Sequence, residues 1–509
     1  MNSFKPMLLT SLKSYDRAQF AKDVTAGIIV AIIALPLSIA LALASGVGPE
    51  AGIFTAIVAG FVISALGGSC VQIAGPTAAF ATIVAGIVAR DGLEGLMTAT
   101  ILAGVFLIIM GFCHFGSLIK FIPYTITTGF TSGIAVTIVI GQLKDFCGIT
   151  YPDGVKPIET MEKLKAFAEN FSMISPDALI VGGVSLAILI VSPLIFKKIP
   201  GSLIAVIAGI LMVQFLPLHV STIGNLYTIS NALPTLHLPV FDMKLIQSAI
   251  PNAFTIAVLA AIESLLSCVV ADGMINSKHR SDTELIAQGA GNIASALFGG
   301  IPATGAIART AANIKNGGRT PVAGMVHSIT LVIVLVVLMP FAGMIPMPTI
   351  AAILFLVAYN MCQWRTFVHL VRTAPKSDII VLFTTFVLTV VFDLVVAIEI
   401  GMVLACLLFI KRMSEETHAD SWVYVDDDSP AVDEHLQKLP LEIRVYEITG
   451  PLFFGAADAI EHIVVKDFTK CLVLRMRSVP TIDSTAMNAL QNLTKLCESK
   501  GITLVFSHV

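Results

Sequence analysis

Charged residues are scarce in this sequence. They make up 13% of its 509 residues, whereas soluble domains carry about a quarter. Hydrophobic residues make up 56%, and the mean hydropathy is +0.88. The net charge is only −3, so no strongly basic or acidic surface calls for a nucleic-acid partner. The scarcity of charge excludes an ordinary soluble protein and predicts a membrane protein with polar ends.

Paired cysteines are also missing. The eight cysteines are scattered without a C-x-x-C pair, and most lie in or beside apolar stretches. A disulfide framework and a structural zinc site both need cysteines at regular spacings. The sequence therefore indicates neither, and we expect no metal site.

Long apolar runs fill most of the chain. The first, Val24 to Leu43, is 20 residues long, enough to cross a hydrocarbon core about 30 Å thick. Its length and the many later spans favour a retained helix over a cleaved signal peptide. Fourteen apolar segments follow one another, several too short to cross a bilayer alone. They begin near residues 24, 51, 70, 93, 122, 177 and 201, then near 249, 285, 303, 322, 347, 378 and 394.

The distribution of Lys and Arg around these segments predicts their orientation. An even number of spans puts both termini on one side. Sixteen Lys and Arg residues flank the spans on that side and six on the other, and the richer side is normally cytoplasmic. We therefore expect a multi-pass membrane protein with both termini cytoplasmic and the loop from Lys144 to Asp177 outside.

Two weak internal matches suggest that the fourteen segments are seven plus seven. "GG", eight residues and "TAA" (Gly67 to Ala79) recur as "GG", nine residues and "TAA" (Gly299 to Ala312). "ALPLSIALALASG" precedes "AIESLLSCVVADG" by 227 residues, close to the 232 between the glycine pairs. An odd number of spans per copy turns the second copy upside down, which is the inverted repeat of many secondary transporters.

Both copies interrupt their apolar sequence with a Gly- and Pro-rich stretch, "GGSCVQIAGPTAAF" and "GGIPATGAIARTAAN". Such stretches suggest an extended backbone followed by a short helix, which is tolerated where protein or water satisfies its polar groups. Pro76 and Pro302 suit the first turn of these half-helices. Inverted copies then aim two helix N-termini, each with unpaired N–H groups, at one point near the midplane. We expect an anion there, in contact with Gly75, Pro76, Thr77 and Thr304.

Ionisable residues inside the spans are the next candidates, since a charge in hydrocarbon is expensive. Arg309 in the second half-helix either joins the helix ends in holding the anion or forms a structural ion pair with Glu263. Glu263 and Ser267 lie one helical turn apart and together can bind Na⁺, or Glu263 can carry a proton; the alternative is charge balance for Arg309. Glu399 is a weaker candidate at a domain or subunit contact. His327 is interpreted as a hydrogen-bonded core histidine and not as a ligand.

The tail after Arg412 changes character. The polar linker 413–440 contains "DDDSP", and from residue 441 "LEIRVYEITGPLFF", "KCLVLRMRSV" and "GITLVFSHV" read as strands. "AADAIEHIVV" and "TAMNALQNLTKLCES" read as helices. Alternating strands and helices predict a small α/β domain over 441–509. The sequence stops on the last strand, so we expect an abbreviated domain or further residues beyond it.

The stretch "GMINSKHRSDTELIAQGAGNIASALFGGIPATGAIARTAANIKNGGRTPVAG" (Gly273 to Gly324) resembles the signature region of the SulP (sulfate permease) family of anion transporters. "LPLSIALA" and "AGPTAAF" also match, and "TIDSTAMNAL" resembles the STAS domain of sulfate transporters and anti-sigma-factor antagonists. The likeness covers nearly the whole chain. "LKDFCGI" and "GPLFF" make it most similar to the bacterial DauA-like dicarboxylate-transporter branch.

The resemblance implies a polytopic α-helical membrane protein with fourteen transmembrane segments in a 7+7 inverted repeat, divided into core and gate domains. It also implies a homodimer, an elevator-type movement and a STAS domain that can contact a cytoplasmic protein. The domains would be a cytoplasmic segment 1–23, a transport domain 24–412 (copies about 24–217 and 249–412), the linker 413–440 and the STAS domain 441–509. The residues that correspond to the family's anion pocket are Leu37, Leu41, Thr77, Ala308 and Arg309.

Further residues follow from the same resemblance. Glu263 and Ser267 match the cation position of sodium-coupled members. Many members have Gln where this chain has Leu37, so one hydrogen-bond donor is lost. Ser484 matches the serine that is phosphorylated in some bacterial STAS proteins, with a helix N-cap as the alternative role.

These observations together predict secondary active transport of a small anion, of sulfate type or a C4-dicarboxylate, coupled to H⁺ or Na⁺, and not an enzyme. A bicarbonate:Na⁺ symporter, an exchanger and a passive channel use the same fold. A nucleobase:cation symporter and a regulatory scaffold are rivals, and Arg309 and the STAS tail argue against the nucleobase symporter.

Overall fold

The computed structural model describes residues 4–117, 123–152, 157–195, 200–239, 243–392, 394–421, 440, 442–456, 460, 463 and 468–508. Within them the chain forms two compact units, Met1–Gly401 and Met402–Val509. The principal helices of the first unit and its border, in chain order, are α1 Arg17–Ala44, α2 Pro49–Leu66, α3 Ala81–Phe112, α4 Tyr124–Cys147, α5 Pro176–Ile195, α6 Gly201–Phe215, α7 Met243–Ile275, α8 Ser281–Leu297, α9 Ile307–Lys315, α10 Val322–Ala342, α11 Met347–Cys362, α12 Lys376–Val391 and α13 Leu394–Glu415.

These helices give fourteen segments, as the apolar runs predict, because α3 contains two of them. Its backbone is non-helical at Gly92 (φ 69°, ψ −168°), a conformation open to glycine. In the described part of the chain, eight helical stretches are long and apolar enough to cross a membrane. The first helix begins at Arg17 rather than near 24, because the Asp16 carboxylate accepts a hydrogen bond from Gln19 N at 2.7 Å and caps it.

The packing of the helices repeats between the two copies. Contacts of α2 with α10 are matched by contacts of α8 with the second half of α3, and contacts of α1 with α10 by contacts of α7 with α3. These helices form the core domain. In the gate domain, contacts of α4 with α12 are matched by contacts of α11 with α5, while α4 and α11 pack on each other. A pseudo-two-fold axis that relates the two copies exchanges the members of these pairs. The contacts therefore agree with the 7+7 inverted repeat.

The second unit contains a four-stranded sheet whose strands lie side by side in the order in which they occur in the sequence. Its strands are β3 His418–Ser421, β4 Ile443–Thr449, β5 Cys471–Ser478 and β6 Thr503–Ser507. Strand β3 is antiparallel to β4, whereas β4, β5 and β6 are parallel. Helix α14, Ser484–Ser499, packs its apolar face on the sheet around Leu490 and Leu493. This is the α/β domain that the tail predicts.

Two features of the tail differ from the sequence analysis. The interval 413–440 was predicted to be a linker, but α13 continues to Glu415 and β3 pairs with β4, because pairing satisfies an otherwise open strand edge. The rest of the predicted linker, 422–439, lies outside the described residues, as do Leu441 and most of the predicted helix "AADAIEHIVV".

Candidate functional site

The two Gly- and Pro-rich stretches meet inside the core domain. Each forms a two-residue strand, β1 Ala74–Gly75 and β2 Thr304–Gly305, and the strands pair antiparallel, with Ala74 opposite Gly305 and Gly75 opposite Thr304. Ala306 N also donates to Ile73 O at 2.9 Å. The pair satisfies backbone groups at the centre of both stretches and joins the two copies at one point.

A helix follows each of these strands. After β1 a 3₁₀ turn, Ala78–Phe80, leads into α3, and after β2 the short helix α9 begins at Ile307. Neither N-cap residue, Thr77 or Ala306, accepts a side-chain hydrogen bond from a first-turn N–H group. First-turn N–H groups without a side-chain cap are donors suited to an anion.

The prolines lie outside the first turns, contrary to the sequence prediction. Pro76 directly precedes the N-cap Thr77, and Pro302 lies in the extended stretch before β2. The fixed φ of proline fits this extended backbone as well as it fits a first helical turn, so the residue type alone did not decide the position.

Arg309 occupies the centre of this meeting point. Its side chain is 1% exposed. Nη2 donates to Pro76 O at 3.2 Å and lies 3.4 Å from Ser38 Oγ of α1. Nε and Nη1 have no hydrogen-bond partner in the described part of the protein. A buried guanidinium with unused donors is suited to binding an anion, because its charge is fixed and its N–H groups are free.

Gly75 provides the space that Arg309 uses. A Cβ atom at residue 75 would lie 2.3 Å from Arg309 Nη1, well inside van der Waals contact. The glycine of the first copy therefore lets the arginine of the second copy reach across β1. The sequence predicts both residues at the site but does not indicate that one depends on the other.

The proposed ion pair between Arg309 and Glu263 is not formed: no salt bridge joins them among the described residues. Glu263 instead accepts a hydrogen bond from Thr77 Oγ1 at 3.0 Å. The carboxylate of α7 is thus bound to the N-cap residue of the first half-helix, within one residue of the carbonyl that Arg309 contacts.

Ser267 lies one turn further along α7, and its hydroxyl donates to Thr310 Oγ1 at 3.4 Å. Thr310 Oγ1 in turn accepts from Ile73 N at 3.1 Å. Between them, Ser264 Oγ and Thr304 Oγ1 are 2.6 Å apart. The hydroxyl groups of Ser264 and Ser267, within about one turn of Glu263 along α7, are therefore hydrogen bonded to β2 and α9, and hydroxyl oxygens are a ligand type that Na⁺ and other hard cations prefer.

The three apolar residues predicted for the anion pocket differ in their exposure. Leu41 is 2% exposed and belongs to the hydrophobic core, Leu37 packs against that core, and Ala308 is exposed on α9. Ser38, which the sequence analysis missed, lies next to Leu37 and is the residue of α1 that approaches Arg309. Its signal was a hydroxyl inside the otherwise apolar motif "LPLSIALA".

A buried carboxylate on another helix holds the first stretch in place. Glu284 of α8 is fully buried and accepts hydrogen bonds from Gly68 N (2.8 Å) and Ser69 N (3.2 Å). Its other oxygen accepts from Gln72 Nε2 (3.1 Å) and Gln288 Nε2 (2.9 Å). Four donors satisfy this carboxylate, so it is a positioning group for the backbone that leads to β1. Only the glutamine one turn away in "ELIAQ" hinted at it.

Three other candidates lie outside this cluster. Glu399 is exposed on α13. His327 of α10 is fully buried, but the expected hydrogen bond is absent: neither ring nitrogen has a partner among the described groups. The N-cap of α14 is Asp483, whose carboxylate accepts from Ala486 N at 2.8 Å. Ser484 is therefore the first helical residue and not the cap, because a carboxylate one residue earlier already accepts the free N–H.

A cavity of about 430 Å³ lies elsewhere in the core domain. Its walls come from the α1–α2 corner, the break in α3 and the stretch before β2, and include Glu50, Phe54, Glu94, His237 and Ile301. None of the predicted site residues lines it. The candidate anion site is therefore defined by its polar groups and helix ends and not by this cavity.

Comparison with known protein families agrees with this architecture. The sulfate permease family model matches residues 20–385, and the STAS domain model matches residues 437–509. The first match covers the core helices and the gate helices as far as residue 385, and the second covers strands β4 to β6 of the C-terminal sheet.

Two curated relatives match over most of their length. The putative sulfate transporter YvdB of Bacillus subtilis is 40% identical over 493 residues, which is 94% of this chain and 90% of the relative. The bicarbonate transporter BicA of Picosynechococcus sp. is 34% identical over 488 residues, 92% of this chain and 85% of the relative.

Solved structures share the fold. The transmembrane domain of a cyanobacterial bicarbonate transporter BicA aligns with a TM-score of 0.67 at 29% identity, covering 77% of this chain and 98% of that domain. Murine Solute Carrier 26 family member A9, an anion transporter solved in the inward-facing state, aligns with a TM-score of 0.88 over 98% of this chain and 87% of its own. Its 19% identity supports the fold alone.

Proposed function

The chain belongs to the sulfate permease family, as a polytopic membrane transporter and not an enzyme, and from this premise we propose that it carries a small oxyanion by secondary active transport. The observation that carries the proposal is Arg309, which is buried between two half-helix N-termini with two of its nitrogens unpartnered. Positive charge and N–H donors converge there from both copies. An anion bound at this point would neutralise a charge that is otherwise costly in a membrane.

We propose Gly75, Pro76, Thr77, Thr304, Ala308 and Arg309 as the anion site, with Leu37 and Leu41 as its apolar wall. Ser38 joins this set because of its approach to Arg309. The hydroxyl groups and the uncapped first-turn N–H groups offer polar contacts, and the leucines of α1 exclude water. This pattern suits a compact, strongly hydrated anion that exchanges its water shell for N–H and O–H donors.

Sulfate and bicarbonate are the two substrates that the relatives favour. The relatives described above are named for sulfate and for bicarbonate, and both anions present oxygens to the same donors. A C4-dicarboxylate, as in the DauA-like branch, stays a prediction from motif resemblance.

Coupling is assigned to Glu263. Its contact with Thr77 links a carboxylate of α7 to the N-cap of the first half-helix. A Na⁺ bound by Glu263 and the nearby hydroxyls, or a proton on Glu263, changes the charge beside the anion site and favours anion binding. Ser267 contributes by holding Thr310.

Movement and assembly complete the proposal. The site lies wholly on core-domain elements, so displacement of the core against the gate would carry the anion across by an elevator-type mechanism. We place the protein as a homodimer in the bacterial inner membrane with cytoplasmic termini. The STAS domain would contact a cytoplasmic protein, and Ser484 at the start of α14 is its candidate phosphorylation site.

The test is uptake into proteoliposomes of labelled sulfate, bicarbonate and succinate under imposed Na⁺ or H⁺ gradients, with Arg309→Ala as control. Accumulation of one anion above equilibrium, abolished in the variant, is expected. Flux that only equilibrates would indicate a channel. Absence of flux for all three anions would reject anion transport in favour of a nucleobase carrier or a scaffold.

A further inference from the structure

A short helix between the gate helices α11 and α12 has no part in the proposed transport cycle. This linker helix, Trp364–Thr373, has 10 residues and no buried residue. It starts directly after Gln363, whose left-handed backbone (φ 43°, ψ 44°) ends α11 with a sharp turn. At 1.5 Å per residue it is about 15 Å long, too short to cross a bilayer. The linker helix therefore runs in a different direction from α11, the span that precedes it.

One face of the linker helix is already covered. At 100° per residue, Phe367, Leu370 and Val371 share this face. The Phe367 ring contacts the rings of Phe383 and Phe386 in α12 edge-on, at centroid distances of 5.6 Å and 5.5 Å. This face holds the linker helix against the gate domain.

The neighbouring strip of the helix is apolar and uncovered. Trp364 is 46% exposed and Val368 37% exposed. They follow one another at a spacing of four residues, so they form a continuous stripe. Trp364 Nε1 donates to Tyr359 OH at 3.3 Å, and Tyr359 is 58% exposed. Tryptophan and tyrosine side by side with exposed rings are typical of the boundary between hydrocarbon and head groups.

Basic side chains border this stripe. Arg365 and Arg372 lie on its polar edge, and both are exposed. Neither forms a salt bridge with a described carboxylate. The Arg365 guanidinium lies 5.6 Å from the Trp364 ring centroid. From Gln363 to Ser377 the sequence contains no Asp or Glu, while Lys376 adds a third cation.

We propose that the linker helix lies in the membrane interface and binds the phosphate groups of anionic lipids through Arg365 and Arg372. Trp364 and Val368 enter the acyl boundary, and the arginines extend from the same strip to the head groups. Guanidinium and phosphate form charge-assisted, bidentate hydrogen bonds. Bound lipid would fasten this end of the gate domain to one leaflet while the core domain moves.

The chain offers a direct test, because it contains only two tryptophans, Trp364 and Trp422. In a Trp422→Phe background, the fluorescence reports Trp364 alone. The full-length protein is reconstituted in vesicles of phosphatidylcholine and phosphatidylglycerol in a 3:1 ratio, with bromine placed on the acyl chains of one lipid or the other. We expect brominated phosphatidylglycerol to quench Trp364 more, per mole of lipid, than brominated phosphatidylcholine.

Variants identify the groups responsible. Arg365→Gln with Arg372→Gln should remove the preference for phosphatidylglycerol, by at most about fivefold per arginine, whereas Arg365→Lys with Arg372→Lys should retain most of it. Lys163→Gln with Lys165→Gln, in the separate helix Thr160–Glu169, removes the same charge elsewhere and should leave the preference intact. Far-UV circular dichroism and elution volume check that each variant is folded.

Three results would overturn the proposal. Equal quenching by both brominated lipids would mean that the helix meets lipid without selecting head groups. A preference that survives Arg365→Gln with Arg372→Gln would assign it to other residues. Absence of quenching by either lipid would mean that protein, such as a second copy of the chain, covers Trp364. The readout does not depend on transport, so it stands or falls separately from the proposed function.

Discussion

The two Gly- and Pro-rich stretches, which cross at the β1–β2 pair, have nearly the same backbone and very different chemistry. Each runs through a two-residue strand into a helix, and the strands pair with each other. Yet both ionisable groups of the candidate site come from the second copy: Arg309 from α9 and Glu263 from α7. Each reaches a partner in the first copy, Arg309 at Pro76 O and Glu263 at Thr77. Duplication supplied a symmetric scaffold, and the charge on one copy makes an asymmetric site.

The largest effect is expected from removing the charge of the second copy. Arg309→Ala should lower anion affinity by about 30-fold or more, since loss of one member of a buried, hydrogen-bonded charge pair costs at least ~2 kcal/mol. Arg309→Lys keeps the charge but loses the forked set of N–H donors. Its anion affinity should therefore lie between those of the parent protein and Arg309→Ala. Concentration dependence of uptake measures both. Unchanged affinity in folded Arg309→Ala protein would refute the anion site.

The next prediction tests whether residue 75 of the first copy must be a glycine where the two stretches cross. In Gly75→Ala the new Cβ would meet Arg309 Nη1 at 2.3 Å and push the guanidinium aside. Because displacements of about 1 Å at a binding centre reduce its efficiency up to ~10²-fold, we expect a loss of affinity of about tenfold. Gly86→Ala in α3 is the matched control, because nothing lies within 4 Å of its added Cβ. Equal behaviour of the two variants would show that Arg309 does not depend on Gly75.

A smaller and different effect is expected at the other contact between the copies. Glu263→Gln should abolish the dependence of uptake on Na⁺ or pH while leaving part of the anion affinity. Thr77→Val removes the hydrogen bond to Glu263 without touching Arg309 and should weaken the coupling severalfold. Uptake measured with and without each cation gradient distinguishes them. Coupling that is intact in Glu263→Gln would return this carboxylate to a structural role.

Removal of residues 441–509 takes away a part with no counterpart in either copy. We expect the rate or its regulation to change and the order of preference among sulfate, bicarbonate and succinate to stay the same. Competition between the anions in uptake assays measures that order. An altered order would show that selectivity is not confined to the crossing.

The smallest effect concerns the loop that follows the second half-helix. Hydrogen bonds to Asp23 hold this loop against the N-terminal segment. Asp23 accepts hydrogen bonds from Tyr15 OH at 3.0 Å and from Arg319 N at 2.9 Å. Burial, with Asp23 adding to it, raises the pKa of Tyr15 from 10.0 to about 12. Because the folded pKa is the higher one, this contribution to stability is complete below pH 10 and disappears as the pH rises to 12. Thermal unfolding of Tyr15→Phe should lose this small pH dependence, and an identical profile to the parent protein would contradict the assignment.

The internal repeat made the fold predictable from the sequence. The site was harder to predict because its contacting residues are far apart in the chain. The glycine pairs and the α1 and α7 motifs recur at nearly the same offset, 232 and 227 residues, so the inverted repeat and the half-helices could be predicted from residue patterns. The membrane spans follow from apolar length. Their outer ends were less certain, because a cap such as Asp16 extends a helix into polar sequence.

Three contacts that shape the site join residues of the first copy to residues of the second, far away in the sequence. Thr77 with Glu263, Gly75 with Arg309 and Glu284 with Gly68 each connect different copies. No local pattern encodes such pairs, so the sequence predicted which groups are at the crossing but not which group meets which. Asp483 shows the same limit locally, since two adjacent residues could both cap α14.

The central claim, an anion held between the two half-helices by Arg309, is tested most directly by locating the anion. A crystal of the full-length protein grown with selenate, a sulfate analogue, is measured at the selenium absorption edge, using protein that contains ordinary methionine. We predict an anomalous peak within hydrogen-bond distance of Arg309, between Thr77 and Ala308, that vanishes in Arg309→Ala crystals. A peak elsewhere that persists in the variant, with none at the crossing, would contradict the account.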